Sequence, residues 1–137
     1  MKILKSKNLN KSIILYLLYS TLLYIFNLIY SQTHNYFSIF STFSFLIPFV
    51  LGFGIVLIIK IKKIRIPKIS FYLYNLATIF LSNYFLFKGI FEITEIFNKY
   101  TNILLYISIF LFIISFMFLL PICFLHFFPI DPTISSK

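Results

Sequence analysis

KIKKIRIPK, residues 60–68, holds five of the chain's twelve basic side chains and lies near its midpoint, with a long apolar run on either side. A cationic island between two oily stretches is the pattern of a cytoplasmic loop joining membrane spans, because Lys and Arg in short loops are retained on the cytoplasmic side. Composition supports the same reading. Of 137 residues, 61% are hydrophobic and 11% charged, with a mean hydropathy of +0.99. A soluble domain is nearer half apolar and about a quarter charged. A soluble core of this size has no room for so much apolar surface, so lipid is expected to be the solvent for most of it.

The net charge of +9 would suggest nucleic acid in a soluble protein. Here the cations cluster between apolar runs, so membrane orientation accounts for them and no nucleic-acid partner is expected. Lys outnumbers Arg eleven to one, and Ile, Phe, Tyr and Asn are abundant. AT-rich codons give this composition, so the aromatic content says little about a binding site.

Outward from the loop, the charge-free runs fall at about 12–30, 37–59, 69–87 and 103–124. At about 1.5 Å of rise per residue, each is close to the roughly 30 Å of hydrocarbon it must cross. The first run follows Lys2, Lys5, Lys7 and Lys11, as a signal peptide would. It is longer than the roughly 7–15 apolar residues of such a peptide and ends in Tyr30-Ser31-Gln32, so it is read as an uncleaved span. The second run contains Pro48, Gly52 and Gly54. Proline removes a backbone donor and presses on the carbonyl four residues back, that of Ser44, which predicts a break near Ser44–Pro48. Residues 88–102 form an outer segment and 125–137 a short tail.

With the amino terminus inside, the inner segments hold ten basic residues and the outer ones only Lys88 and Lys99. Both termini are therefore expected in the cytoplasm. Tyr30, Tyr36 and Tyr100 fall at the outer interface, where amphipathic rings settle. The expected fold is all-α: an integral membrane four-helix bundle, a single domain built from two antiparallel helical hairpins, in the plasma membrane.

Polar residues suggest which helix faces meet. Asn75, Ser82 and Gly89 are seven apart on the third span, as are Thr101, Ser108 and Ser115 on the fourth. Sevenfold spacing keeps residues on one face of supercoiled helices, and small or hydroxyl residues let membrane helices approach closely. In an antiparallel pair, residues at equal depth have positions adding to a constant. Gly89 with Thr101, Ser82 with Ser108 and Asn75 with Ser115 all add to 190, which predicts those pairings. The first span carries a stripe of Tyr16, Ser20, Tyr24, Asn27 and Ser31, and the second a small-residue surface of Ser44, Pro48 and Gly52.

No Asp, Glu, Lys or Arg lies mid-span, whereas ionisable groups at membrane depth are the usual mark of proton coupling. In length and span number the chain resembles the small multidrug exporters. It departs from them in lacking the first-span carboxylate on which that family's coupling depends, and in having no tryptophan. Asn27, Asn75 and Asn83 are the deepest strongly polar groups, a candidate intramembrane polar site for a solute or lipid head group, or else interhelical glue. Lys88, Glu92, Glu95 and Lys99 make a candidate outer recognition segment. Their four-residue spacings equally suit pairs that stabilise an exposed helix by about 0.2–0.5 kcal/mol each.

Cys123 is the only cysteine, which excludes an internal disulfide. His126 follows it by three residues, but two ligands do not make a zinc site. No catalytic constellation, phosphate loop, metal site or cofactor is expected. The reading is a non-enzymatic, multi-pass protein acting by helix packing with a membrane partner, as an accessory subunit or a protective (immunity-type) protein. The alternatives are a small oligomeric transporter or channel for a solute or lipid, and a lipid-acting membrane enzyme. The partners expected are the lipid bilayer and either another membrane protein or further copies of the chain.

Overall fold

The computed structural model describes residues 2–35, 37–94 and 99–127. Helices α1 (Ser6–His34), α2 (Ile39–Ile47), α3 (Ile55–Ile61), α4 (Lys68–Ile93) and α5 (Thr101–Phe127) account for nearly all of them. A π-helical segment, Pro48–Gly54, joins α2 to α3 in one continuous second span. Among the described residues the chain is thus all-helical, with four helices long and apolar enough to cross a membrane: Ser6–His34, Ile39–Ile61, Lys68–Ile93 and Thr101–Pro121.

The helices run beyond the charge-free stretches. α1 begins at Ser6 and includes Lys7 and Lys11, and α4 continues past Lys88 and Glu92 to Ile93. The outer segment is therefore in part the end of α4. Charge marks where oil would stop, whereas a helix stops where its backbone hydrogen bonds find another solution. The tail likewise begins late, since α5 reaches Phe127.

The predicted break in the second span takes the form of the π segment that opens at Pro48. Proline cannot donate to the Ser44 carbonyl. That carbonyl instead accepts the Ser82 hydroxyl from α4. A few residues on, the Leu51 carbonyl accepts the Tyr74 hydroxyl at 2.7 Å. Side chains of α4 thus supply donors along the irregular stretch, which is how a broken helix is tolerated where water is absent. Ser44, Pro48 and Gly52, the expected small-residue surface, are all buried.

The second span ends in a Schellman motif. The Lys63 N–H reaches the Lys60 carbonyl and the Ile64 N–H reaches that of Ile59, with Lys63 in the left-handed region at φ 52°. Glycine is the usual residue there. Beyond it, Leu4 N–H bonds the Ile66 carbonyl and Lys68 N–H bonds the Lys2 carbonyl, each at 3.0 Å, around an isolated antiparallel bridge between Ile3 and Pro67. The amino terminus is thereby clamped to the basic loop. Directly above lies an apolar cluster of Leu9, Tyr16, Val56, Ile59, Ile66 and Phe71.

α4 is the hub. It packs along α5 and along the second span, and its side chains reach α1. α5 packs mainly on α4 and is the outlier of the set. Only 11% of its apolar window is buried, against 28% for α4 and for the second span.

Candidate functional site

The polar groups of the interior form a ladder of cross-helix hydrogen bonds. At the level of the π segment, the Tyr16 hydroxyl of α1 donates to Asn75 Oδ1 of α4 at 2.6 Å. Gly52 makes room for it: a Cβ there would land inside the Tyr16 ring. One turn along α1, Tyr19 donates to Asn83 Oδ1 at 3.0 Å, and Ser20 donates to the Phe45 carbonyl of α2 at 3.0 Å. Towards the other end, Ser41 of α2 donates to Asn27 Oδ1 at 2.6 Å.

Gly89 closes the ladder. A Cβ on it would lie 2.8 Å from Ser41 N and 3.0 Å from Ser41 Cα, so α2 and α4 touch backbone to backbone there. Next to this contact, Ser38 donates to the Glu92 carboxylate. Lys88 Nζ lies 3.1 Å from Tyr84 Oη and 4.3 Å from the centre of the Phe40 ring, a cation held by an aromatic face.

These placements change the expected site. The three asparagines do not converge: Asn75 and Asn83 lie between α1 and α4, and Asn27 lies between α1 and α2. Lys88 and Glu92 turn to Tyr84, Phe40 and Ser38 rather than to one another. Glu95 falls outside the described residues, and Lys99 is exposed.

The expected seam between the third and fourth spans also takes a different form. Ser108 and Ser115 do face α4, where Ser108 donates to the Ala77 carbonyl and Ser115 exchanges bonds with Ser70. Those positions add to 185, not 190. Asn75, Ser82 and Gly89 instead face α1 and the second span. The reason is that α4 carries a second set of small residues seven apart, Ser70 and Ala77, about 140° around the helix from Asn75 and Ser82. Being central, α4 uses one stripe for each neighbour. Thr101 opens α5 and is half-buried.

Sequence reasoning named Tyr16 and Ser20 in the first-span stripe but missed Tyr19, Ser38, Ser41, Ser70 and Tyr74. The available signal was the mid-span tyrosine itself, since a hydroxyl carried into an apolar interior needs an acceptor. Among the described residues, no buried side-chain nitrogen or oxygen lacks a hydrogen-bond partner. What the ladder can do chemically is hold helices in register.

Two apolar grooves flank it. One, of about 390 Å³, lies between α1 and α4 and reaches Tyr16, Tyr19 and Asn75. The other, of about 290 Å³, lies between the second span, α4 and α5. No family model, curated protein or solved structure matches the chain.

Proposed function

We propose that this chain, which has four helices apolar enough to span a bilayer, is a four-helix bundle of two antiparallel hairpins in the plasma membrane. Both termini lie in the cytoplasm, and the protein works by packing against a membrane partner, as an accessory subunit or a protective protein. The observation that carries this reading is how the polar groups are used. The interior hydroxyls and amides are engaged with one another or with backbone carbonyls. The surface left over is apolar, including Phe110, Ile113, Phe116, Met117 and Leu120 of α5. Such a molecule has little polar chemistry to offer a reactant and much helix face to offer another helix. Capture from mild detergent followed by mass spectrometry should recover a second membrane protein in fixed ratio; recovery of self-copies alone would count decisively against it.

Orientation has its own test. With Cys123→Ser as background, His34→Cys should react with a membrane-impermeant thiol reagent on intact cells and Ile64→Cys should not. The opposite pattern would invert the topology.

The α1–α4 groove favours one other reading, a small oligomeric transporter, because Asn75 and two tyrosines reach its wall. Solute flux in vesicles that is lost in Asn75→Leu would support it, and flux equal to that of empty vesicles would remove it.

A further inference from the structure

The groove between the second span, α4 and α5 differs from the one beside α1 in being lined in part by the basic loop. Its walls include Leu51, Ile55, Ile59, Phe112 and Leu119, and Ile66 of the basic loop also lines it. Ser70, Tyr74 and Ser115 also line it, but their hydroxyls are spent on backbone carbonyls, Ser70 and Ser115 on each other's at 2.8 Å and Tyr74 on that of Leu51 at 2.7 Å. The groove therefore presents hydrocarbon along its length. From Ile59 to Leu51 it follows about 12 Å of helix, at roughly 1.5 Å per residue.

Ile66 belongs to the loop clamped against the amino terminus. Exposed Arg65 precedes it, partly exposed Lys68 follows within two residues, and the Lys2 carbonyl is bonded to Lys68 N–H. Lys62 and Lys63 lie just upstream, also exposed, and no acidic residue occurs in residues 2–5 or 60–68. The clamp holds two basic segments together beside Ile66, the loop residue that lines the apolar groove.

We propose that this groove and its rim form a binding site for one anionic phospholipid of the leaflet on the cationic side. An acyl chain lies between the second span and α5, and the phosphate is held by Arg65 and Lys68. The argument is charge complementarity joined to an oily slot: an acyl chain fits walls with no free hydrogen-bonding group, and a phosphate suits the forked guanidinium and the ammonium. Neither half alone would select this ligand. A zwitterionic lipid offers the same phosphate but brings its own cation to a loop that holds no acidic residue to balance it, and free phosphate leaves the groove empty. The inference rests on the membrane reading above.

The test uses the full chain purified in mild detergent, first shown to enter vesicles and resist alkaline extraction; failure at that step would refute the membrane reading itself. Native mass spectrometry with phosphatidylglycerol should then show a single retained lipid, favoured at least tenfold over phosphatidylcholine. Arg65→Gln with Lys68→Gln should bring that preference down to the phosphatidylcholine level. Ile55→Trp, which fills the groove from an exposed wall position, should weaken retention of both lipids. Each variant is checked for wild-type helicity by circular dichroism, and Lys7→Gln with Lys11→Gln serves as a charge-matched control that should keep the preference. Equal retention of the two lipids by the wild type would overturn the site. So would equal losses from the control and rim variants, which would mean diffuse charge only, or competition by inorganic phosphate at the concentrations where phosphatidylglycerol binds.

Discussion

The two faces of α4 look alike in sequence and behave differently in the fold. One carries Asn75, Ser82 and Gly89, the other Ser70 and Ala77, and each repeats every seven residues. The first face meets α1 and the second span through two amides, a hydroxyl and a direct backbone contact. The second meets α5 through serine hydroxyls and backbone carbonyls. A stripe of small residues thus predicts that a helix will be approached closely, but not by which neighbour. The richer face lies opposite the broken span, where proline and the π segment leave backbone groups in need of donors.

The sharpest way to break this comparison is all-or-none. In a Cys123→Ser background, Ser70→Cys with Ser115→Cys should oxidise readily to a disulfide, because the two hydroxyl oxygens lie 3.3 Å apart. Asn75→Cys with Ser115→Cys should not. Gel mobility of a chain cleaved between α4 and α5 reads both, and a cross-link in the second pair alone would restore the 190 register and reverse the assignment of the two faces.

Next in size is Gly89→Val. Overpacking typically costs about 1–3 kcal/mol, and this site belongs at the upper end because the obstruction is the Ser41 backbone, which cannot rotate away. Unfolding in mixed micelles followed by circular dichroism should show the loss. A change under about 0.5 kcal/mol, the range of ordinary surface substitutions, would mean that α2 and α4 are not in backbone contact.

How much of this was legible in the sequence follows from the same residues. The four apolar helices were, because charge-free runs leave few alternatives. The break at Pro48 was, because a missing N–H is a property of the residue. That Ser82 and Tyr74 would serve the Ser44 and Leu51 carbonyls was not, since those partners are set by the rotation of α4 about its axis. Nor was the bridge between Ile3 and Pro67, which is a backbone pairing without a side-chain signature. For the polar site, the sequence picked out Asn27, Asn75 and Asn83 by depth, but it had no means of assigning them to two different interfaces.

A smaller effect separates the polar ladder from mere apolar packing. Asn75→Leu leaves the buried Tyr16 hydroxyl without its acceptor. Hydrogen bonds between membrane helices average about 0.6 kcal/mol and reach about 1.7, and this one should lie in the upper half because it is short and mid-span. Tyr16→Phe in the same chain should recover part of the loss, giving a coupling in a double-mutant cycle. Strict additivity would mean that the two side chains do not interact.

Ser115→Ala should be the mildest change. It removes the donation to the Ser70 carbonyl but spares the reciprocal bond, because Ser70 donates to the Ser115 backbone oxygen, which alanine retains. The methyl group fills nearly the same space, so the loss should fall below the average of about 0.6 kcal/mol for a membrane hydrogen bond. Ser70→Ala should behave alike, and the double substitution should cost less than the sum, because the two hydroxyls also meet each other at 3.3 Å, a contact that either single change already removes. A loss from Ser115→Ala as large as that from Asn75→Leu would erase the difference between the two faces of α4. It would also mean that α5, the least buried helix of the four, is held as firmly as the rest.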